Sequence, residues 1–237
     1  MLTDSTVIIP AFNEGSNIIR QIKGIAQLYG DQVELFVVVD FNNDSTIEHF
    51  NKIQNIPESY KIIVQEYGPG PANAIKFGID QATTGCVVVM MADGSDDIRE
   101  IENLTNLVNR GAVVACASRY MRNGQQIGGP RFKKFLSKSA GLLLYFLVGV
   151  GTHDPTNSFK AYSREFVKRV TIESSSGFEI GIELVAKAHR LRLPIAEIPT
   201  IWLDRSTGKS RFLIAKWIPK YFHWFLYCFG PKLKAAD

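Results

Sequence analysis

The sequence predicts an α/β fold in which a mostly parallel sheet is covered by helices on both faces. Short uncharged runs rich in valine and isoleucine alternate with segments whose apolar residues recur at helical spacing. Strands without polar residues are typical of a parallel sheet that is buried on both faces. The 237 residues, of which 46% are hydrophobic and 21% charged, suffice for one ordered globular domain.

Five strands are predicted in the first half of the chain, at residues 7–10, 33–39, 61–64, 86–92 and 112–117. Ser16 is predicted to cap a first helix, in which Ile18, Ile22 and Ile25 share one face. A further helix is predicted at residues 98–108, between the fourth and the fifth strand.

The second half of the chain has a different pattern. A basic start leads into an apolar stretch within residues 133–150, and the pattern then predicts a helix at 179–190 and a strand at 195–202. We find no repeat, low-complexity tract or linker. The sequence therefore predicts one domain at 1–211 and an aromatic-rich tail at 212–237.

Composition and cysteine usage exclude several classes of protein. The net charge of +4 is mild and fits phosphorylated ligands or anionic lipid, and no nucleic-acid partner is expected. Cys86, Cys116 and Cys228 lie too far apart for a disulfide framework or a metal site, so a reducing compartment is expected. The N-terminus lacks the pattern of a signal peptide, and no uncharged apolar run reaches 18 residues.

Charged residues lie at the carboxyl ends of three predicted strands: Asp40, Asp93 and Arg119. Parallel α/β sheets bind their ligands beyond these strand ends. The three residues therefore indicate a ligand site at this edge of the sheet.

The segment MADGSDD brings Asp93, Asp96 and Asp97 within five residues of each other after a predicted strand. Carboxylates this close repel each other unless a cation compensates, and Mg²⁺ or Mn²⁺ prefers oxygen ligands and commonly bridges to phosphates. The alternative is helix capping, in which Ser95 or Asp96 starts the next helix. The residues alone leave both interpretations open.

The segment VVVDFNNDST places Asp40 and Asp44 after the second strand. An acid at this position commonly accepts hydrogen bonds from a ribose or a base. The alternative is a solvated loop in which Asp44 or Ser45 caps the following helix.

Seven motifs follow one another along the chain in a single order: VIIPAFNE, VVVD, MADGSDD, SRY, DPTNSFKAYSRE, GFEIGIEL and IPTIWLDRSTGKSRF. Together they resemble the GT-A glycosyltransferases of family 2, and within them the dolichol-phosphate mannose synthase-like group. The resemblance covers nearly the whole chain. It implies a Rossmann-like GT-A catalytic domain with C-terminal interfacial helices, a nucleotide-sugar donor and a polyprenyl-phosphate acceptor.

The resemblance also implies three groups of site residues. Those expected to hold the nucleoside are Pro10, Phe12, Glu14 and Asp40. Those expected at the metal ion and the donor phosphates are Asp93, Arg119 and Arg205. Those expected around the acceptor and on a loop that closes over the site are Arg131, Lys133, Ser210 and Arg211.

Two positions depart from the pattern of the resembled family. The family usually has two acids that flank one residue, but Met91 stands where the first acid is expected, so Asp96 or Asp97 is expected to complete the metal site. Phe41 stands where a second acid often follows Asp40. These departures leave the donor and the metal dependence open.

The stretch GPGPANA at 68–74 does not follow the first strand, and its prolines fit poorly in a phosphate-binding turn. We therefore exclude a dinucleotide-binding dehydrogenase and expect this stretch to start a helix.

Transfer of a sugar to a hydroxyl would need a general base, for which Glu179 is the choice, whereas a lipid phosphate is already anionic and needs none. The alternative for Glu179 and Glu183 is a structural helix pair, with Glu183 bound to Lys187.

The tail carries Lys216, Lys220 and His223 along one face of an aromatic-rich helix. Such a helix is typical of one that lies in a membrane interface, not of a spanning helix. The alternative is a helix that docks on its own domain. The stretch SAGLLLYFLVGVG at 139–151 is less distinctive, because buried core helices have the same length.

We therefore expect inverting transfer of a sugar, mannose from GDP-mannose, to a polyprenyl or dolichyl phosphate by a peripheral protein on the cytosolic face of a membrane. Two alternatives stay open. One is a family 2 transferase that acts on a sugar hydroxyl in surface polysaccharide assembly. The other is a non-catalytic nucleotide-sugar-binding or membrane-scaffold protein, which the missing first acid would indicate.

Overall fold

The computed structural model of the protein describes residues 4–175, 177–204 and 214–233. Its centre is a seven-stranded sheet with the strand order β3-β2-β1-β4-β7-β5-β8. The strands of this sheet are β1 (Ser5–Ala11), β2 (Glu34–Val39), β3 (Tyr60–Val64), β4 (Cys86–Val89), β5 (Val114–Ser118), β7 (Lys160–Ser163) and β8 (Ile195–Pro199). Two further strands, β6 (Gln125–Ile127) and β9 (Ile201–Leu203), pair in parallel as a second sheet.

The prediction of a mostly parallel sheet is confirmed. Strands β3, β2, β1 and β4 pair in parallel, and so do β5 and β8. The exception is β7, which lies antiparallel between β4 and β5. The sequence did not reveal β7, because this strand has only four residues and begins with a lysine.

Helices cover both faces of the sheet, as predicted. They are α1 (Asn17–Tyr29), α2 (Ser45–Asn51), α3 (Pro71–Gln81), α4 (Glu100–Asn109), α5 (Arg131–Leu143), α6 (Arg164–Arg169), α7 (Ile180–Arg190) and α8 (Ile214–Tyr227). The core forms two clusters, and successive residues of β1 point into different ones: Ile9 packs with α1 and α4, and Ile8 with α3 and α7. The central strands β1, β2, β4 and β5 therefore bury both of their faces, which explains why they are largely apolar.

Some local predictions need correction. Ser16 precedes α1 but makes no capping hydrogen bond with its side chain. The strand predicted at 195–202 is divided at Thr200, whose backbone N–H donates to Ser118 and whose carbonyl accepts from Gln125. Thr200 thus joins the two sheets, and a break of this kind leaves no mark in the pattern of apolar residues.

The stretch at 68–74 starts a helix, as expected. Pro71 occupies the first turn of α3, where its missing N–H costs nothing. Gly70 before it has a φ of 132°, a conformation that glycine adopts readily and other residues rarely do.

Candidate active site

The residues predicted to hold a nucleoside lie together at the carboxyl edge of the sheet. Pro10 lies within β1, Phe12 and Glu14 follow this strand, and Asp40 directly follows β2. The parallel register keeps the ends of the two strands level. Phe12 leaves 43% of its surface exposed at this edge.

Asp40 holds the loop that follows β3. Its Oδ1 accepts a hydrogen bond of 2.9 Å from Gln65 Nε2, and its Oδ2 accepts one of 3.0 Å from the backbone of Gly70. Gln65 also donates to the carbonyl of Gly68 at 2.6 Å. Asp40 therefore fixes the start of α3 relative to β2, in addition to the nucleoside contact that the sequence predicts.

Asp44 caps α2, which confirms the capping alternative for this residue. Its Oδ1 accepts from the backbone N–H of Thr46 at 2.8 Å. Its Oδ2 accepts from the backbone N–H of Asn13 at 2.9 Å. One carboxylate thus holds the loop after β1 against the start of α2.

The three acids after β4 point in different directions. Asp93 accepts a hydrogen bond from the backbone of Ser95 at 3.1 Å. Asp97 binds Arg99 with both carboxylate oxygens, at 2.8 Å to Nε and 2.5 Å to Nη2, and the Arg99 side chain is exposed. Asp96 turns inward and accepts from the backbone of Met91 at 2.9 Å. The structure does not gather all three around one point, and the described residues include no group of three or more His, Cys, Asp or Glu placed for a metal ion.

Asp96 is the acid with an unmet oxygen. It is 7% exposed, and its Oδ1 has no hydrogen-bond partner among the residues that the structure describes. Burial raises the pKa of this carboxyl to about 7, and the charge of Asp93 adds to the rise. Neither Ser95 nor Asp96 caps a helix, because α4 begins later, at Glu100. An unmet carboxylate oxygen in a buried position is the kind of group that a bound cation satisfies.

Arg119, which directly follows β5, forms a buried pair with Asp154. Its Nε donates to Asp154 Oδ2 at 2.7 Å and its Nη2 to Oδ1 at 3.0 Å, and Nη2 also reaches Thr156 Oγ1 at 3.2 Å. The two side chains are 11% and 0% exposed. Burial acts to raise the pKa of Asp154, but the charge and hydrogen bonds of Arg119 outweigh it and hold this pKa below its usual value.

Sequence reasoning assigned no role to Asp154, Asn157 or Lys160, although all three lie in the motif DPTNSFKAYSRE. Asn157 Nδ2 donates to the carbonyl of Ala117 at 2.8 Å and so ties this segment to β5. Lys160 is fully buried, and its ammonium binds the carbonyls of Pro155 and Asn157. Burial lowers the pKa of Lys160. The sequence feature that could have pointed to these three residues is a run of polar residues between two apolar segments.

The two glutamates of the GFEIGIEL motif have different surroundings. Glu183 binds Lys187 at 2.7 Å, as the helix-pair alternative predicts, and accepts backbone hydrogen bonds from Glu173 at 2.6 Å and Ser174 at 2.8 Å. Its role is to fix the segment that precedes α7. Glu179 lies directly before α7, is 2% exposed, and accepts from the backbone of Gly177 at 3.2 Å.

Basic residues near the predicted acceptor site are only partly described. Arg131 begins α5 and is exposed, and Lys133 is half-buried in the first turn of the same helix. Lys134 donates to the carbonyl of Gln126 at 2.8 Å, which ties α5 to β6. The predicted residues Arg205, Ser210 and Arg211 lie outside the described residues, and so does the predicted boundary between the domain and the tail.

Two helices present apolar faces to the surface. The exposed apolar residues of α8 and the chain after it are Ile218, Phe222, Leu226, Phe229 and Leu233. Those of α5 and the π-type turn that continues it (Leu144–Val148) are Phe132, Phe135, Leu136, Leu143, Tyr145, Phe146 and Leu147. Among the described helices, none is both long and apolar enough to cross a bilayer.

The opposite face of α8 packs on the domain. Trp224 and Cys228 are buried in the core cluster that contains α7. The ammonium of Lys187 lies 5.0 Å from the Trp224 ring, and the guanidinium of Arg190 lies 4.1 Å from the Tyr227 ring. Docking on the domain and an exposed apolar face are therefore combined in one helix, whereas the sequence presented them as alternatives.

The α/β fold and the acidic strand ends define a GT-A type protein, and comparison with known proteins identifies its family. The model of glycosyl transferase family 2 matches residues 6–171, so the chain belongs to this family and is a glycosyltransferase. The polyprenol monophosphomannose synthase of Mycolicibacterium smegmatis is 30% identical over 227 residues, which cover 89% of this chain and 85% of that protein. The dolichol-phosphate mannosyltransferase of Pyrococcus furiosus is 29% identical over 211 residues, which cover 87% of this chain and 58% of that protein.

Solved structures of low sequence identity share the fold. Glucosyl-3-phosphoglycerate synthase from Mycobacterium tuberculosis in complex with phosphoglyceric acid superposes with a TM-score of 0.71 at 18% identity, over 97% of this chain and 81% of that one. The same enzyme with Mn²⁺, uridine diphosphate and phosphoglyceric acid gives a TM-score of 0.70 at 18% identity, over 97% of this chain and 79% of that one. These matches confirm the predicted GT-A fold.

Proposed function

We propose that this protein transfers mannose from GDP-mannose to a polyprenyl phosphate. The observation that carries the proposal is the 30% identity to a polyprenol monophosphomannose synthase along 89% of this chain. That match includes the second half of the chain, which holds the predicted acceptor residues Arg131 and Lys133.

The donor side of the site is assigned to residues at the carboxyl edge of the sheet. Pro10, Phe12 and Glu14 hold the nucleoside together with Asp40, whose own hydrogen bonds fix the neighbouring loop. The exposed ring of Phe12 offers a stacking face to the base.

A divalent ion, Mg²⁺ or Mn²⁺, fits the acids after β4. The unmet Oδ1 of Asp96 and the carboxylate of Asp93 offer the oxygen ligands that such an ion prefers. Arg99 binds both carboxylate oxygens of Asp97, which the sequence also suggests as a ligand, so we assign the ion to Asp93 and Asp96. When bound, the ion neutralises charge on the donor diphosphate. Relatives in fold have been crystallised with Mn²⁺, which supports the same class of ion here.

Cationic side chains serve the leaving diphosphate and the acceptor phosphate. Arg119 is held rigidly by Asp154, so it can stabilise developing negative charge without reorganising. We assign Arg205 to the same task. Arg131, Lys133, Ser210 and Arg211 are assigned to the acceptor phosphate. No general base is required for this acceptor, because a phosphate monoester is anionic near neutral pH.

We assign the exposed apolar face of α8 to the cytosolic surface of a membrane, where the lipid acceptor resides. Exchange of Phe222 and Leu226 for serine removes two of its large apolar side chains and is expected to weaken binding to anionic vesicles about tenfold. Leu28→Ser is the matched control, since Leu28 is equally exposed on α1. If the variant with serine at both Phe222 and Leu226 sediments with vesicles as fully as Leu28→Ser does, this assignment is contradicted.

A donor screen tests the proposed function. The full chain is incubated with a short polyprenyl phosphate, Mn²⁺ or Mg²⁺, and GDP-mannose, UDP-glucose or UDP-N-acetylglucosamine in parallel, and products are identified by mass. We expect a mannosyl-phospholipid product that requires the divalent ion. A different sugar on the lipid would correct the donor, and the absence of lipid-linked product with every donor would refute the proposal.

A further inference from the structure

Tyr120, the residue after Arg119, lies between this arginine and helix α5. The centre of its ring is 4.9 Å from the guanidinium carbon of Arg119, a distance at which an aromatic face attracts a cation. Its hydroxyl donates to Gln126 Oε1 at 2.9 Å and forms a hydrogen bond with the hydroxyl of Ser137 on α5. One side chain therefore contacts both the arginine assigned to the donor phosphates and the helix that carries predicted acceptor residues.

Ser137 lies one helical turn after Lys133, so the two residues share a face of α5. A second contact holds the helix at the same place. Lys134 Nζ donates to the carbonyl of Gln126, the residue whose side chain binds Tyr120. Helix α5 is thus tied to Tyr120 and to β6 within the turn that follows the predicted acceptor residue Lys133.

The loop that carries Tyr120 is closely packed on the end of β5. A Cβ at position 124 would collide with the carbonyl oxygen of Ser118 and the carbonyl carbon of Arg119, so only glycine fits there. The backbone N–H of Met121 donates to Ser118 Oγ at 3.2 Å. These contacts fix the backbone of the loop against β5, and the end of this strand therefore sets the position of the Tyr120 side chain.

From these contacts we infer that Tyr120 is a positioning residue that sets α5, and with it the acceptor site, relative to Arg119. Its ring orients the guanidinium, and its hydroxyl holds the helix. Transfer requires the acceptor phosphate to approach the sugar while Arg119 stabilises the departing diphosphate, and groups misplaced by about 1 Å react far more slowly. The inference rests on the proposed function for the roles of Arg119 and Lys133.

Tyr120→Phe separates the two tasks, because it keeps the ring and removes the hydroxyl. Turnover is measured without vesicles, with GDP-mannose, Mn²⁺ and a water-soluble short-chain polyprenyl phosphate. We expect the acceptor KM to rise about tenfold, with the donor KM and kcat within about threefold of the wild type, since only the acceptor side loses its tie. Tyr120→Leu also removes the ring and is expected to lower kcat about tenfold in addition, because Arg119 loses a contact that orients it.

Ser137→Ala removes the partner in the same hydrogen bond. We expect it to raise the acceptor KM about as much as Tyr120→Phe does. The double variant is expected to stay within about twofold of either single variant, because both substitutions act through one contact. Increases in KM that multiply in the double variant would show that the two side chains act independently, which would contradict the inference.

The matched control is Tyr60→Phe. The hydroxyl of Tyr60 donates to the carbonyl of Gly30 at 3.1 Å, and Tyr60 begins β3, so it lies at the opposite edge of the sheet from the site. This variant also loses one phenolic hydrogen bond, but its KM and kcat values are expected to equal those of the wild type. Thermal unfolding of every variant shows whether it is folded at the assay temperature.

Hydrogen exchange tests the tie without any substrate. The amides of α5 are expected to exchange about threefold faster in Tyr120→Phe and Ser137→Ala than in the wild type and Tyr60→Phe, because the helix loses a contact that holds it in place. A wild-type acceptor KM and wild-type exchange in folded Tyr120→Phe would overturn the inference. If the wild type itself forms no lipid-linked sugar, the proposed function fails, and exchange of the α5 amides alone then decides whether Tyr120 holds this helix.

Discussion

The acids at the end of β2 and the acids after β4 lie at the same edge of the sheet, but their hydrogen bonding differs. Both oxygens of Asp40 and both oxygens of Asp44 accept hydrogen bonds from the chain itself. Asp96 is buried with one oxygen unmet among the described residues. The first pair shapes loops by its own hydrogen bonds, whereas we propose that a bound ion completes the second region.

The comparison also extends to the cations. Gln65 and backbone N–H groups satisfy the acids of the first region, so no buried charge is needed there. In the second region, Arg119, Asp154 and Lys160 are buried charges that act on one another, and Arg119 and Lys160 also act on Asp96. Buried charge of this kind is typical of catalytic centres.

The largest effect is expected at the acids after β4. Asp93→Asn and Asp96→Asn each retain an oxygen for the backbone hydrogen bond but lose the charge that holds a divalent ion. We expect kcat/KM to fall about 10²- to 10³-fold in each variant, measured over a titration of Mn²⁺. The control is Asp97→Asn, which is expected to stay within about threefold of the wild type because Asp97 pairs with the exposed Arg99. An equal loss in Asp97→Asn would place the ion elsewhere.

A large loss of stability is expected when Asp154 is changed to asparagine. Arg119 would then be left as a buried charge without its partner, at a cost of about 3–5 kcal/mol in the free energy of unfolding near pH 7. The measurement is urea unfolding of the wild type and the variant.

The Arg119–Asp154 pair also predicts that the free energy of unfolding depends on pH. The pKa of Asp154 is lowered in the folded protein, so the pair stabilises the fold above the unfolded pKa of about 3.9 and loses this stabilisation as the pH falls through the depressed value. The difference in stability between wild type and Asp154→Asn should therefore be full at neutral pH and shrink under acid conditions. A difference that does not change with pH would show that the pair contributes through packing alone.

The smallest effect is expected at Asp40. Asp40→Asn places an amide group opposite either Gln65 Nε2 or the N–H of Gly70, so one hydrogen bond of the loop is lost. We expect a loss of about 1 kcal/mol in stability and an increase of about tenfold in the donor KM, with kcat nearly unchanged. Steady-state kinetics at varied donor concentration measure the KM and kcat, and urea unfolding measures the stability. A loss of kcat as large as that in Asp96→Asn would remove the distinction between the two regions.

Much of the first region could be predicted from the sequence. Apolar runs fix where parallel strands end, and Asp40 lies at the end of β2 in the structure, as predicted. The sequence offered Asp44 or Ser45 as the cap of α2, and the structure shows that Asp44 is the cap. Such features are local, so a short window of sequence contains the information.

The second region depends on contacts between distant parts of the chain. Arg119 and Asp154 are 35 residues apart, and the antiparallel strand β7, which the sequence did not reveal, follows the segment of Asp154. The unmet oxygen of Asp96 results from how individual side chains pack, which spacing alone does not determine. The two faces of α8 likewise required the structure, because the periodicity of the tail favoured an interfacial helix and left a docked helix only as the alternative.

The central claim, transfer to a lipid phosphate, is tested most directly by competition between acceptors. The wild-type protein receives GDP-mannose and Mn²⁺ together with equal amounts of a short polyprenyl phosphate, the polyprenol of the same length and a mannose oligosaccharide. Products are separated and identified by mass spectrometry. We predict that the mannosyl group appears on the polyprenyl phosphate alone. Mannose on the oligosaccharide hydroxyls, with the lipid phosphate unchanged, would contradict the claim.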